Sequence, residues 1–224
     1  MIISFKHKFM FFRNPKTGCS AAEIILRMCN TLGLDDIATV LTLCGLPSIN
    51  SKIDPENKAV LGDETFNAAI LESHLTPLEA VERGYCTLDQ LQEFDCYFFL
   101  REPEARLMSA FKHMFRPAYP EIFQGLHNGT YELKLVGEPQ HRFTAPGVTP
   151  LLCDDFKANL DMMCRKIGHP GFPLVPHFNK TQNGLSVGEK YWNVETRKWY
   201  LKTYADDIAL YKTIKAERDY VWAA

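Results

Sequence analysis

Residues 13–20 read Arg-Asn-Pro-Lys-Thr-Gly-Cys-Ser and follow the apolar run at 8–12. One glycine, one lysine and two hydroxyls in a short loop, with an amphipathic segment after it, are the parts of an anion site. Gly18 lets the backbone approach a ligand closely. The amides of Gly18, Cys19 and Ser20 would open a helix, where they lack intrahelical partners and the dipole favours negative charge. Lys16 adds a full positive charge, and Thr17 and Ser20 can donate further hydrogen bonds. The same residues also suit an ordinary capped helix start with a surface lysine. The order of glycine and lysine is not the G-x-x-x-x-G-K-[ST] of nucleoside triphosphatases.

A second group is Arg101 with Ser109 eight residues later. Arg106, Ser109 and His113 share a stripe of the helix predicted after Pro103. A guanidinium fork and a hydroxyl suit a phosphate, although Arg101 has Glu102 and Glu104 beside it as alternative partners. His74 offers an imidazole that titrates near neutral pH, as a general base requires. Glu72, two residues earlier on the same side of an extended strand, competes for that role. His177, Asn179, Lys180 and Thr181 form a later polar cluster that would border a nucleotide or an acceptor, or serve as plain loop. Gln140 and Arg142 are further candidates for acceptor contacts.

Each group follows a short apolar run, at 8–12, 67–71, 96–100 and 172–176. These runs are continuous rather than alternating, the pattern of parallel strands buried on both faces. The stretch 1–12 reads as the first strand. Helical spacing predicts helices over 19–30, after Pro103, over 155–167 and over 199–212. Strands alternating with helices argue for an α/β fold with a mostly parallel sheet. Ligands of such sheets bind beyond the carboxyl ends of the strands, where the candidate residues fall. Residues 115–150 are rich in proline and glycine, with little periodicity, and read as a loop-rich insertion and candidate acceptor-binding lid.

The bulk numbers narrow the partners. A net charge of −2 argues against wholesale electrostatic binding of nucleic acid or acidic membrane, so any anion site is a local cluster. Seven cysteines without a C-x-x-C pair read as reduced thiols of a cytoplasmic protein rather than as a zinc site. No stretch approaches the ~20 apolar residues of a membrane span. A chain of 224 residues suits a single domain.

Two motifs carry a family resemblance. PKTGCSA (15–21) followed by FFLREPEARLMSAFKH (98–113) resembles the two nucleotide-binding signatures of PAPS-dependent sulfotransferases, the carbohydrate type especially. The opening segment is similar to the starts of small bacterial and viral members. EPQHRF (138–143), LLCDDFKANLDMMCRKIG (151–168) and LVPHFNKT (174–181) resemble later elements of that family, in order. The resemblance implies a three-layer P-loop-like fold spanning 1–224, with 3′-phosphoadenosine 5′-phosphosulfate (PAPS) as co-substrate and no metal. It implies that Lys16, Thr17, Gly18, Cys19, Ser20 and Ala21 hold the 5′-phosphosulfate, and that Arg101 and Ser109 hold the 3′-phosphate. Lys180 would adjoin the nucleotide, and Gln140, Arg142 and His177 the acceptor. His74 resembles the histidine after the corresponding strand of carbohydrate sulfotransferases such as the heparan sulfate 2-O type, and the resemblance implies a carbohydrate hydroxyl as acceptor; tyrosine, lipid and small-molecule hydroxyls stay open. Cys19 and Asn14 depart from the common residues without removing a donor, and residues 31–66 match no known part. The rival readings are a P-loop kinase or NTPase, and a nucleotide- or glycan-binding module without catalysis.

Overall fold

The computed structural model describes residues 1–4, 7–31, 74–115, 118–169 and 189–223. The strands expected at 67–71 and 172–176 lie outside the described residues, as do Glu72, His177, Asn179, Lys180, Thr181 and nearly all of 31–66. Within the described residues a four-stranded sheet runs in the order β1 (Ile2–Ser4), β2 (Phe9–Phe12), β3 (Asp95–Leu100), β4 (Val148–Leu152). β2, β3 and β4 are mutually parallel, and β1 is antiparallel to β2. The chain is therefore mixed α/β, with one open, mostly parallel sheet and flanking helices.

The helices are α1 (Cys19–Thr31), α2 (Pro77–Glu82), α3 (Leu88–Glu93), α4 (Pro103–Met114), α5 (Pro120–Gln124), α6 (Phe156–Lys166), α7 (Val194–Thr203) and α8 (Ala205–Ala223). Alternate strand residues feed two separate cores. Phe9, Phe11, Tyr97 and Phe99 pack with Ile25 and Leu26 of α1 and Leu160 and Met163 of α6. Met10, Phe12, Cys96 and Phe98 pack with Ala80 of α2, Leu91 of α3 and Tyr211 of α8. Burial on both faces is why the strands read as unbroken apolar runs.

Three expectations need correction. The N-terminal stretch is two strands, not one: Lys8 takes a left-handed φ of 47° where the chain reverses, and its carbonyl accepts from the Asp95 amide at 2.8 Å. Within 115–150 the described residues hold one short helix, α5, with 3₁₀ turns and loops. Phe123, Leu126 and Leu133 are buried against Leu107 and Phe111 of α4 and Tyr200 of α7, and the segment ends in β4. β4 contains Pro150 opposite Phe98, which is tolerated because β4 is the outermost strand of the described sheet. The helix expected at 199–212 is two helices broken at Tyr204, whose hydroxyl donates to the Gly137 carbonyl at 2.6 Å. Met114 ends α4 at 37% exposure rather than joining its apolar stripe.

Candidate functional site

β2 and β3 run side by side, with Phe12 opposite Phe98, and the segments leaving them border one cleft of about 270 Å³. Lys16, Gly18, Cys19, Ser20 and Ala21 form its wall at the start of α1. Arg101, just past β3, and Ser109, on α4, form another, and His74 enters from the residues before α2. Arg13, Pro15, His113 and Val136 complete the lining among the described residues. No carboxylate lines the cleft among the described residues.

The β2–α1 loop is fixed by its carbonyls. The Thr17 hydroxyl donates to the Asn14 carbonyl at 2.7 Å, and Arg106 Nε to that of Pro15 at 2.9 Å. Arg101 Nη1 donates to the Lys16 carbonyl at 3.0 Å and Cys153 Sγ to that of Thr17 at 3.3 Å. Burial pushes the Cys153 thiol pKa up, so it keeps the proton it donates. In a trans peptide the amide points opposite its carbonyl. Holding these oxygens therefore directs the Thr17 and Gly18 amides away from the donors. The Gly18 carbonyl accepts from the Ala21 and Ala22 amides at 3.0 and 3.2 Å. Cys19 and Ser20 thus sit in the first turn of α1, where amides have no intrahelical partner.

Two residues of the loop are left-handed, Lys16 at φ 66° and Gly18 at φ 81°. For Lys16 that costs roughly 1–2 kcal/mol, offset by the tied carbonyls around it. At Gly18 a Cβ would lie 2.8 Å from Phe156 Cε2. Glycine is needed there on both counts.

His74 Nδ1 lies 2.7 Å from the Arg13 carbonyl oxygen. A carbonyl only accepts, so Nδ1 carries the proton and Nε2 is left with its lone pair. Burial is the largest influence on its pKa and pulls it down to about 4. The bond to the Arg13 carbonyl opposes that, and the positive charges of Arg13, the N-terminus and Arg106 lower it further. His74 is thus a neutral proton acceptor at neutral pH.

Glu102 and Glu104 do not pair with Arg101. Glu102 caps α4 through the Glu104 and Ala105 amides, and Glu104 accepts from Arg197 at 2.9 Å and Trp192 Nε1 at 3.2 Å. Arg106 is 1% exposed, with Nη2 lacking a hydrogen-bond partner. Burial lowers its pKa, and the Asp207 carboxylate counters this. Arg13 forms a buried pair with Glu23 at 2.8 Å.

Three residues expected at the site do not line the cleft. Thr17 is buried with its hydroxyl turned onto Asn14, so it braces the loop instead of meeting a ligand. Gln140 is fully buried and bonds the backbone of Arg101, which leaves it no surface for an acceptor. Arg142 lies outside, paired with Glu79 at 3.1 Å and with Glu138.

Sequence reasoning missed the lining role of Arg13, although its place right after a strand was a usable signal. It also missed Cys153 and Asp207, whose partners are distant in sequence and carry no local pattern. Within the described residues no helix is long and apolar enough to cross a membrane, and no cluster of three His, Cys, Asp or Glu side chains is placed to hold a metal. Comparison with protein-family models, curated proteins and solved structures finds no match to this chain.

Proposed function

We propose that the chain is a sulfotransferase that moves a sulfonate group from PAPS to an acceptor hydroxyl, with a carbohydrate as the favoured acceptor class. The observation that carries this reading is that Lys16 and the start of α1, the Arg101–Ser109 pair, and His74 all line one cleft, with no carboxylate in its lining among the described residues. A nucleotide charged at both ends needs two cationic stations. A hydroxyl acceptor needs a base between them and solvent. The likeness of residues 15–21 and 98–113 to the two PAPS signatures, and a sheet with helices against both faces as a three-layer P-loop-like fold requires, point the same way.

In this mechanism the α1 amides, Lys16 and Ser20 hold the 5′-phosphosulfate, while Arg101 and Ser109 hold the 3′-phosphate. The acceptor oxygen attacks sulfur in line. The bond from sulfur to the bridging phosphate oxygen breaks, the electron pair stays on that oxygen, and 3′-phosphoadenosine 5′-phosphate leaves. Lys16 follows the charge developing on the bridging oxygen. The acceptor proton passes to His74 Nε2, the nitrogen left free by the Arg13 carbonyl. A base of pKa about 4 is weak on its own; the donor's negative charges offset the cations that depress it and strengthen it when it is used.

The test is incubation of the purified chain with sulfonate-labelled PAPS and a panel of sugar, phenol and alcohol acceptors. Transfer of label to a hydroxyl is expected, and labelled ATP with magnesium should transfer nothing. His74→Ala should lower turnover about 10²–10⁴-fold while binding of adenosine 3′,5′-bisphosphate stays close to that of the parent chain. Phosphoryl transfer from ATP, or unchanged turnover in His74→Ala, would overturn the respective assignment.

A further inference from the structure

We infer that Gln140, held by Asp207, is the positioning residue that makes the cleft select nucleotides bearing a 3′-phosphate; this rests on the reading of Arg101 given above. The Gln140 carboxamide bonds Arg101 in both directions. Its Oε1 accepts from the Arg101 amide at 3.0 Å and its Nε2 donates to the Arg101 carbonyl at 2.8 Å. That donor-and-acceptor pairing is what a peptide unit of a neighbouring strand supplies. It falls one residue past Leu100, where the pairing of β3 with β4 ends at Leu152. A side chain extends the ladder by one rung, under the residue whose guanidinium lines the cleft.

The clamp continues in two directions. Asn14 Nδ2 donates to the same Oε1 at 3.1 Å and to the Phe99 carbonyl at 2.8 Å, which ties the exit of β2 to that of β3. The Gln140 amide donates to Asp207 Oδ2 at 2.7 Å and the His141 amide to Oδ1 at 2.8 Å, while His141 Nδ1 also lies 3.0 Å from Oδ1. Asn14, Gln140 and Asp207 are all 0% exposed. Water does not compete for these bonds, so they hold geometry better than surface bonds would. Among the described residues the Arg101 guanidinium is anchored on the Lys16 carbonyl, and a planar fork meets a phosphate well only at the right angle. Disturbing the rung beneath Arg101 tilts that fork. The β2–α1 loop loses at most the Arg101 and Asn14 ties and keeps its anchors from Thr17, Arg106 and Cys153, so the 5′ station is disturbed less.

The experiment is calorimetric titration of the full chain with adenosine 3′,5′-bisphosphate and with adenosine 5′-phosphate. The parent chain should prefer the bisphosphate by about tenfold or more, the worth of a charged hydrogen bond. Gln140→Glu sets an acceptor against the Arg101 carbonyl and should erase most of that preference, while affinity for the 5′-phosphate changes less than about threefold. Asp207→Asn keeps one acceptor oxygen for the Gln140 amide. It should shift the ratio the same way by less, and it carries the test should Gln140→Glu not fold. Equal weakening of both nucleotides, or an unchanged ratio, overturns the inference and leaves Gln140 a structural residue. A parent chain with no preference between the two nucleotides overturns the reading of Arg101 itself.

Discussion

A partly buried imidazole bonded through Nδ1 to a carbonyl has one nitrogen available, and His74 is poised in that state. Its pKa of about 4 in the fold, against 6.5 for the free side chain, has two consequences with a definite sign. For the proposed transfer, the acid limb of kcat/KM should fall near pH 4 rather than near 6.5, because the free chain carries a neutral His74 down to that point. Below pH 6.5 the unfolded chain binds a proton at this residue that the folded chain refuses. Stability is then intact above pH 6.5 and declines as pH falls toward about 4, by on the order of 3 kcal/mol from this group. His74→Gln should be less acid-sensitive by that amount, measured as the difference between urea midpoints at pH 7 and near pH 4. Equal acid sensitivity of the two proteins would show that burial does not hold the proton off.

At the scale of elements, the turn from β2 into α1 is the demanding one. Gly18→Ala puts a Cβ against Phe156, which is itself stacked on Phe99 at 4.5 Å between centroids and cannot easily yield. We expect a loss of about 1–3 kcal/mol from the left-handed φ alone, with weaker phosphate binding. A second change, Phe156→Leu, should relieve the contact but not the backbone term. Chemical denaturation of the single and double variants separates the two.

The same elements show what the sequence could reveal. β2 and β3 were readable because two-sided burial leaves apolar runs. Arg101, Ser109 and the loop at Lys16 were readable because each lies within a short helix or turn of a strand end. β4 was hidden by Pro150 and the glycine-rich stretch before it. The starts of α2 and α3 did carry a signal, Thr76 with Glu79 and Thr87 with Gln90, each a reciprocal capping box. The break at Tyr204 had none, and the bond its hydroxyl makes to the Gly137 carbonyl is distant in sequence. Gln140 read as an acceptor contact because its anchor, Asp207, lies 67 residues on.

Taken whole, the molecule carries a net charge of −2 around a cleft lined by Lys16, Arg101 and the Glu23-paired Arg13. Attraction is local, so salt should weaken it by screening over about 8 Å at physiological ionic strength. Adenosine 3′,5′-bisphosphate at a hundred times its Kd should stabilise the fold by about 2.7 kcal/mol, seen as a raised Tm that shrinks with added salt. Adenosine should leave Tm unchanged. A bisphosphate shift indifferent to salt would argue that the cations at the cleft do not hold the phosphates.

The carbonyls of Asn14, Pro15, Lys16 and Thr17 are occupied before any ligand arrives, by side chains from the loop itself, the two arginines near the start of α4, and Cys153. A loop already set in this way has little left to organise should the proposed nucleotide meet it. Capture of a nucleotide should therefore be a single exponential in stopped-flow, its rate rising linearly with concentration and without the plateau that a slow isomerisation imposes.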